Sequence, residues 1–191
     1  MDTLTTSIPG LLVLRLPRRD DSRGFFAETY RRSWMEERGL PADWVQDNHS
    51  LSRHRGTVRG LHFQVPPRAQ AKLVRVVAGS VFDIAVDLRR RSPAFGHHAS
   101  FELSAANGDQ LLVPVGLAHG FCTLEDDTEV LYKVTDYYSP DCDRGLRWDD
   151  PALGIPWPVA PGEAVLSTRD RQHPALADLP ESERYTGEIS S

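Results

Sequence analysis

The chain has only two cysteines, Cys122 and Cys142, and they form no CxxC pair. Two lone thiols point to a reducing, cytoplasmic setting rather than a disulfide framework. A bond between them would need a geometry that sequence does not reveal. Positive charge is also in deficit: 22 Lys and Arg against 27 Asp and Glu leave a net charge of −5. That balance argues against a general nucleic-acid surface, so an anionic ligand would have to be met by a local basic cluster. Long apolar runs are missing. Leu11-Leu12-Val13-Leu14 is the longest, far short of the roughly 20 residues that span a bilayer. The opening Met1-Asp2-Thr3 has no basic stretch before an apolar one, and no signal peptide is expected. No repeat or low-complexity segment stands out.

What is present suits one domain: 191 residues, 40% of them hydrophobic, are enough for a single sizeable core. Most of the chain reads as short strands broken by turn residues. Expected strands cover Leu11 to Leu16, Gly24 to Tyr30, Val58 to Gln64, Lys72 to Val77, Val81 to Leu88, His98 to Leu103, Gln110 to Val115, Phe121 to Leu124 and Val130 to Thr135. Gly79-Ser80 between two of them reads as a hairpin. Phe82, Ile84, Val86 and Leu88 alternate with Asp83, Ala85 and Asp87, the pattern of a half-buried strand. Ser33 to Glu36 has capping-box spacing and Gly39 supplies a stop, so a short helix is expected there. The fold class is therefore all-β, a sandwich or barrel of antiparallel strands with short peripheral helices. The Pro-rich C-terminal third is expected to wrap it. One domain is expected over residues 1–180, with a polar, mobile tail over 181–191.

Seven histidines invite a test for a metal site. Ligands on one strand should sit at i and i+2, but there is no His-x-His, and His97-His98 point to opposite faces. No metal is expected. His62 lies between Leu61 and Phe63 on an apolar strand, which reads first as a core histidine. Arg59 sits three residues earlier, on the opposite face of a regular strand, and Gly60 between them permits a bulge that would unite them. A base beside a cation suits an anionic substrate. Lys72 opens the next strand, either as a solvated end or as positive charge for a developing enolate oxygen. Tyr132 and Tyr138 share strand parity and would stand roughly 20 Å apart if fully extended. They cannot touch one small group, though both could line one long substrate. His119, between small residues just after a strand, reads equally as a turn histidine or a ligand contact. Asp170 matters only if it reaches His62, where a carboxylate would fix the tautomer and support the imidazolium.

Taken in order, the segments Asp21-Ser22-Arg23-Gly24-Phe25-Phe26-Ala27-Glu28, Val45-Gln46-Asp47-Asn48-His49-Ser50, Arg59-Gly60-Leu61-His62-Phe63-Gln64, Gln70-Ala71-Lys72-Leu73-Val74-Arg75, Gly116-Leu117-Ala118-His119-Gly120-Phe121, Tyr132-Lys133 through Tyr138, and Leu166-Ser167 with Asp170 resemble the dTDP-4-dehydrorhamnose 3,5-epimerase family. The resemblance runs from about Ile8 to Asp170. It implies a cupin-like jelly roll that needs no metal or other cofactor and forms a homodimer. The implied substrate is dTDP-4-dehydro-6-deoxy-D-glucose, inverted at C3 and C5 on the route to dTDP-L-rhamnose, a polysaccharide precursor. By the same resemblance His62 is the proton acceptor, Asp170 its partner, Tyr132 the proton donor and Lys72 the enolate stabiliser. Arg23, Glu28, Gln46, Asp47, Asn48, Arg59 and His119 bind the nucleotide sugar, Tyr138 stacks on thymine, and Arg23 and Glu28 reach across from the partner subunit. Asp143 and Arg169 stand where many relatives carry Glu and Lys, and they complete the implied ligand set. Rival readings are a single-position epimerase on a related deoxysugar, a non-catalytic nucleotide-sugar-binding module and a metal-dependent cupin enzyme.

Overall fold

The structure, a computed structural model, describes residues 1–180 and Tyr185. Thirteen strands are present among them, β1 (Asp2–Thr5), β2 (Leu12–Arg15), β3 (Arg18–Asp21), β4 (Gly24–Ala27), β5 (Gln46–Ser52), β6 (Val58–Gln64), β7 (Lys72–Ala78), β8 (Ser80–Asp87), β9 (His98–Ser104), β10 (Gln110–Val113), β11 (Leu117–Thr123), β12 (Thr128–Val134) and β13 (Asp143–Gly145). One sheet has the order β1-β2-β10-β7-β12-β5, the second β13-β6-β11-β8-β9, and β3 pairs with β4 as a separate hairpin. From β5 to β13 the chain changes sheet at nearly every step, the winding of a jelly roll. Among the described residues the two sheets form an open sandwich rather than a closed barrel.

The core between the sheets holds Val13, Val74, Leu111 and Val130 from the first and Val81, Ala85, Leu117 and Phe121 from the second. Each such Val, Leu or Phe side chain contributes roughly 1.5–3 kcal/mol on burial. A further apolar layer covers the outer face of the second sheet. There Leu61, Phe63, Ile84, Val86 and Ala118 pack against Leu146, Leu153, Ile155, Trp157 and Leu179 from the C-terminal third. The expected wrapping by that segment is what the structure shows.

The alternation in β8 has a different meaning from the one its sequence suggests. Its apolar stripe of Ile84 and Val86 faces the C-terminal wrap, while Val81, Asp83 and Ala85 face between the sheets. The strand is therefore buried on both faces, not half-buried. The Gly79-Ser80 hairpin is also corrected. β7 and β8 lie in different sheets, and Gly79, at φ 72°, carries the chain from one to the other. The helix α1 (Arg32–Glu36) is short as expected, but Arg31 takes the N-cap position and no side chain caps it, so the capping box does not form. The expected mobile tail at 181–191 falls outside the described residues, except Tyr185, which bridges Arg89. Among the described residues no helix is long and apolar enough to cross a membrane, and both cysteines are free.

Candidate active site

The site begins with an irregularity in β6. His62 pairs with His119 of β11, but Arg59 pairs with Phe121, so three residues of one strand oppose two of the other. The extra residue is Gly60, whose φ of 132° suits only glycine. The strands touch closely there. A Cβ on Gly60 would stand 2.6 Å from Gly120 Cα, and one on Gly120 would stand 2.7 Å from the Arg59 carbonyl oxygen. The bulge reverses strand parity, so Arg59 and His62 line the same space, the outcome anticipated from Gly60.

That space consists of two adjoining lobes of about 370 and 310 Å³, which share His62, Lys72, Tyr132 and Arg169. His62 belongs to the second sheet, whereas Lys72 and Tyr132 belong to the first, so the cavity lies between the sheets. His62 Nε2 lies 2.5 Å from Asp170 Oδ1. The Asp170 carboxylate also accepts from Ser167 Oγ at 2.8 Å, and the Asp170 amide donates back to that oxygen at 3.0 Å. Burial alone would raise the Asp170 carboxyl, but the His173 and His62 rings and the Ser167 hydroxyl outweigh it and hold it well below the usual carboxylate range. Burial pushes the His62 imidazole down, against the pull of Asp170. The resting pair is thus a carboxylate facing a neutral imidazole. A carboxylate cannot donate, so Nε2 carries the proton and Nδ1 keeps its lone pair.

Lys72 is buried, and its Nζ donates to the His62 carbonyl oxygen at 3.0 Å. Burial lowers its ammonium from 10.5 to about 8, with Asp143 and Asp83 acting the other way. It is not a solvated strand end. The Tyr132 phenol is raised by burial, with Arg59 opposing and Asp143 adding to the rise, so it keeps its proton at neutral pH. Tyr138 lines the same lobe as Tyr132 because β12 ends at Val134 and the chain then turns back. Its amide donates to Gln46 Oε1 at 3.0 Å, and Gln46 Nε2 donates to Asn48 Oδ1 at 2.8 Å. Arg59 is braced by Ser52 Oγ and the Leu51 carbonyl, both at 3.1 Å. Arg169 pairs with Asp143 at 2.6 Å. His119 is no turn residue: it sits within β11, buried, with Nε2 2.9 and 3.0 Å from the two oxygens of Asp83.

The cavity thus gathers His62, Asp170, Lys72, Tyr132, Gln46, Asn48, Arg59, His119, Tyr138, Asp143 and Arg169. Three expected ligands are not brought in. Pleating turns Asp47 to the opposite face of β5, where it pairs with Lys133 Nζ at 2.8 Å. Arg23 and Glu28 belong to the β3–β4 region and pair with Asp21 and Arg31 instead. Sequence reasoning missed Asp83, Ser167 and His173 as parts of the site. A DxxH spacing after Ser167 was the available signal for the last two.

Ligand atoms of His62, Asp170 and His173 lie within 4.8 Å of one another, the size of a three-donor metal site. Bonds of ~2.0–2.2 Å to one ion would hold neighbouring donors roughly 3 Å apart. The 2.5 Å between His62 and Asp170 is instead hydrogen-bonding distance, with the two atoms aimed at each other.

Comparison with known proteins identifies the family of the chain. The curated dTDP-4-dehydrorhamnose 3,5-epimerase of Sinorhizobium fredii is 51% identical over 179 residues, covering 94% of this chain and 91% of that protein. Among solved structures, the dTDP-4-dehydrorhamnose 3,5-epimerase of Bacillus anthracis with TDP and PPi bound is 47% identical, with a TM-score of 0.89 over 92% of this chain and 99% of that one. The dTDP-6-deoxy-D-glucose-3,5-epimerase of Legionella pneumophila in complex with dTDP-4-keto-L-rhamnose is 37% identical, with a TM-score of 0.92 over 98% of both chains. The profile of dTDP-4-dehydrorhamnose 3,5-epimerase matches residues 5–178. The chain belongs to the dTDP-4-dehydrorhamnose 3,5-epimerase family, a family of enzymes.

Proposed function

We propose that the protein inverts C3 and C5 of dTDP-4-dehydro-6-deoxy-D-glucose to give dTDP-4-dehydro-L-rhamnose, with His62 as base and Tyr132 as acid. The observation that carries this reading is their placement, on different sheets but in the walls of one cavity, with Lys72 beside them. A C–H bond next to a ketone is acidified because its electron pair can move onto the ketone oxygen. His62 Nδ1 takes the proton, and the electrons pass to the C4 oxygen as an enolate. The Lys72 ammonium stabilises that oxygen. Tyr132 then delivers its proton to the opposite face of the same carbon, and the electrons return from oxygen to form the new C–H bond. His62 and Tyr132 exchange protons with solvent, and the cycle repeats at the second carbon. The ketone supplies the acidity, so the reaction calls for neither redox cofactor nor metal.

Arg59 and Arg169 supply the local cations and donors that an anionic diphosphate needs, and His119 adds a polar ring to the wall. Gln46, Asn48 and Asp143 complete the polar wall, and Tyr138 offers a face to thymine, a contact worth roughly 1–3 kcal/mol by analogy with base stacking. Arg23 and Glu28 reach the ligand only from a second copy of the chain. Exposed Phe25 and Phe26 on that same hairpin support a homodimer. Free thiols suit the cytoplasm.

Turnover in deuterated water, followed by proton NMR, tests the reading. Deuterium is expected at both C3 and C5 of the product. Incorporation at only one position makes the protein a single-position epimerase, and full turnover by His62→Ala removes the assigned base.

A further inference from the structure

Asp170 faces two histidines. His173 Nε2 lies 3.6 Å from Oδ1, the same oxygen that His62 contacts at 2.5 Å. The His173 side chain is nine-tenths buried, and its Nε2 has no hydrogen-bond partner among the described residues. Leaving a buried polar ring nitrogen unpaired costs roughly 1–3 kcal/mol, and the reaction proposed above makes no use of this one.

The seat of His173 is well defined. Gly145 stands directly opposite His62 in the β6–β13 ladder. A Cβ on Gly145 would overlap the His173 ring, so His173 occupies the room that a side chain at 145 would take. From there its ring meets His62 edge-on, with centroids 5.6 Å apart.

We propose that His173 is a positioning residue: its Nε2, 3.6 Å from Asp170 Oδ1 and just outside hydrogen-bond reach, closes on that oxygen as a second donor when the His62 imidazolium forms, which fixes the carboxylate and limits how tightly it holds the proton His62 takes up. An oxygen shared between two N–H groups is a weaker acceptor for each. This matters for a double inversion, on which the inference rests. His62 must shed its first proton before it attacks the second carbon, and a carboxylate committed to the imidazolium alone would delay that step. The groups around His62 are Asp170, Lys72 and His173, with Arg59, Arg169, His119 and Tyr132 on the cavity walls and Asp143 beside Arg169. Lys72 and His173 both work against the charged imidazole, and Asp170 works for it.

The test uses two variants. His173→Phe keeps a ring over Gly145 and removes the donor, and His173→Gln restores an N–H at the position of Nε2. Turnover is measured from about pH 6 to about pH 8, alongside NMR titration of the His62 imidazole. His173→Phe is expected to fall about tenfold near pH 6, stay within about twofold of the parent near pH 8, and keep its KM. The His62 titration moves to higher pH in His173→Phe and returns towards the parent in His173→Gln. An unmoved titration overturns the proposal, as does a loss that is equal at all pH values and not rescued by His173→Gln; either outcome leaves His173 a packing residue. If the parent protein exchanges no substrate proton, the activity reading fails, and the imidazole titration alone still decides the role of His173.

Discussion

The two histidine–aspartate pairs of this site lie side by side, since His62 and His119 are directly opposed across β6 and β11. They differ in their surroundings. His119 meets both oxygens of Asp83 at 2.9 and 3.0 Å, and the side chains are 8% and 0% exposed. Asp83 is itself a residue of β8, held on both sides by ladder bonds. His62 meets a single oxygen of Asp170, which belongs to a short 3-10 turn outside the sheets. Its side chain keeps 34% of its surface open. The same two functional groups therefore serve different ends. On the proposed function, a fixed, two-point, buried pair holds its ring still against a ligand. A one-point pair with an open ring nitrogen leaves a base free to take and return a proton.

The largest expected effect separates these roles kinetically. His62→Asn should lower kcat about 10²- to 10⁴-fold, the usual worth of a positioned general base, with KM little changed. His119→Asn should raise KM about tenfold and keep kcat within a few-fold, because it loses binding rather than proton transfer. Steady-state kinetics on both variants decide it. Equal losses of kcat would put His119 in the chemistry and abolish the contrast.

How much of this was legible in sequence depended on whether partners were local. β6 is found with the bounds read from the sequence, and Gly60 announced the bulge that unites Arg59 with His62. β5 escaped notice because its inward face is Gln46, Asn48, Ser50 and Ser52, polar where a core strand should be apolar. A strand that lines a ligand cavity breaks the rule by which strands are found. For the same reason Asp83 read as the solvent side of β8. Its partner lies 36 residues away, and Asp170 lies 108 residues from His62, distances over which no spacing rule operates. Gly79 shows the complementary limit. A turn residue marks where the chain bends, but not whether the next strand returns to the same sheet.

A smaller effect comes from cutting the buried pair at its acid. Asp83→Asn should cost about 1–3 kcal/mol in denaturant unfolding, since a two-point contact becomes at best one-point inside the sandwich. It should also change the pH profile. In the proposed mechanism Lys72 is charged when it stabilises the enolate, so activity should decline as pH rises through about 8, where burial has placed its ammonium. Asp83 supports that charge. Removing it lowers the Lys72 titration further, and the alkaline limb should move to lower pH. Asp170→Asn should leave that limb in place while it impairs the base. An alkaline limb unmoved by Asp83→Asn would mean that another group sets it.

The smallest effect is expected at a third pair, on the outside of the same region. Lys133 Nζ lies 2.8 and 3.1 Å from Asp47, contacts as short as those at His119, yet Asp47 is 68% exposed. Water screens that attraction, and exposed pairs are worth roughly 0–1 kcal/mol. Asp47→Ala should therefore change unfolding free energy by less than about 1 kcal/mol and leave kcat and KM near the parent. The neighbouring Asn48→Ala, on the inward face of the same strand, should raise KM. The Lys133 and His119 pairs thus form a series in which contact length is nearly constant, 2.8–3.1 Å, and burial decides the consequence. A tenfold rise in KM for Asp47→Ala would break the series, because it would mean that the outward carboxylate reaches the ligand after all.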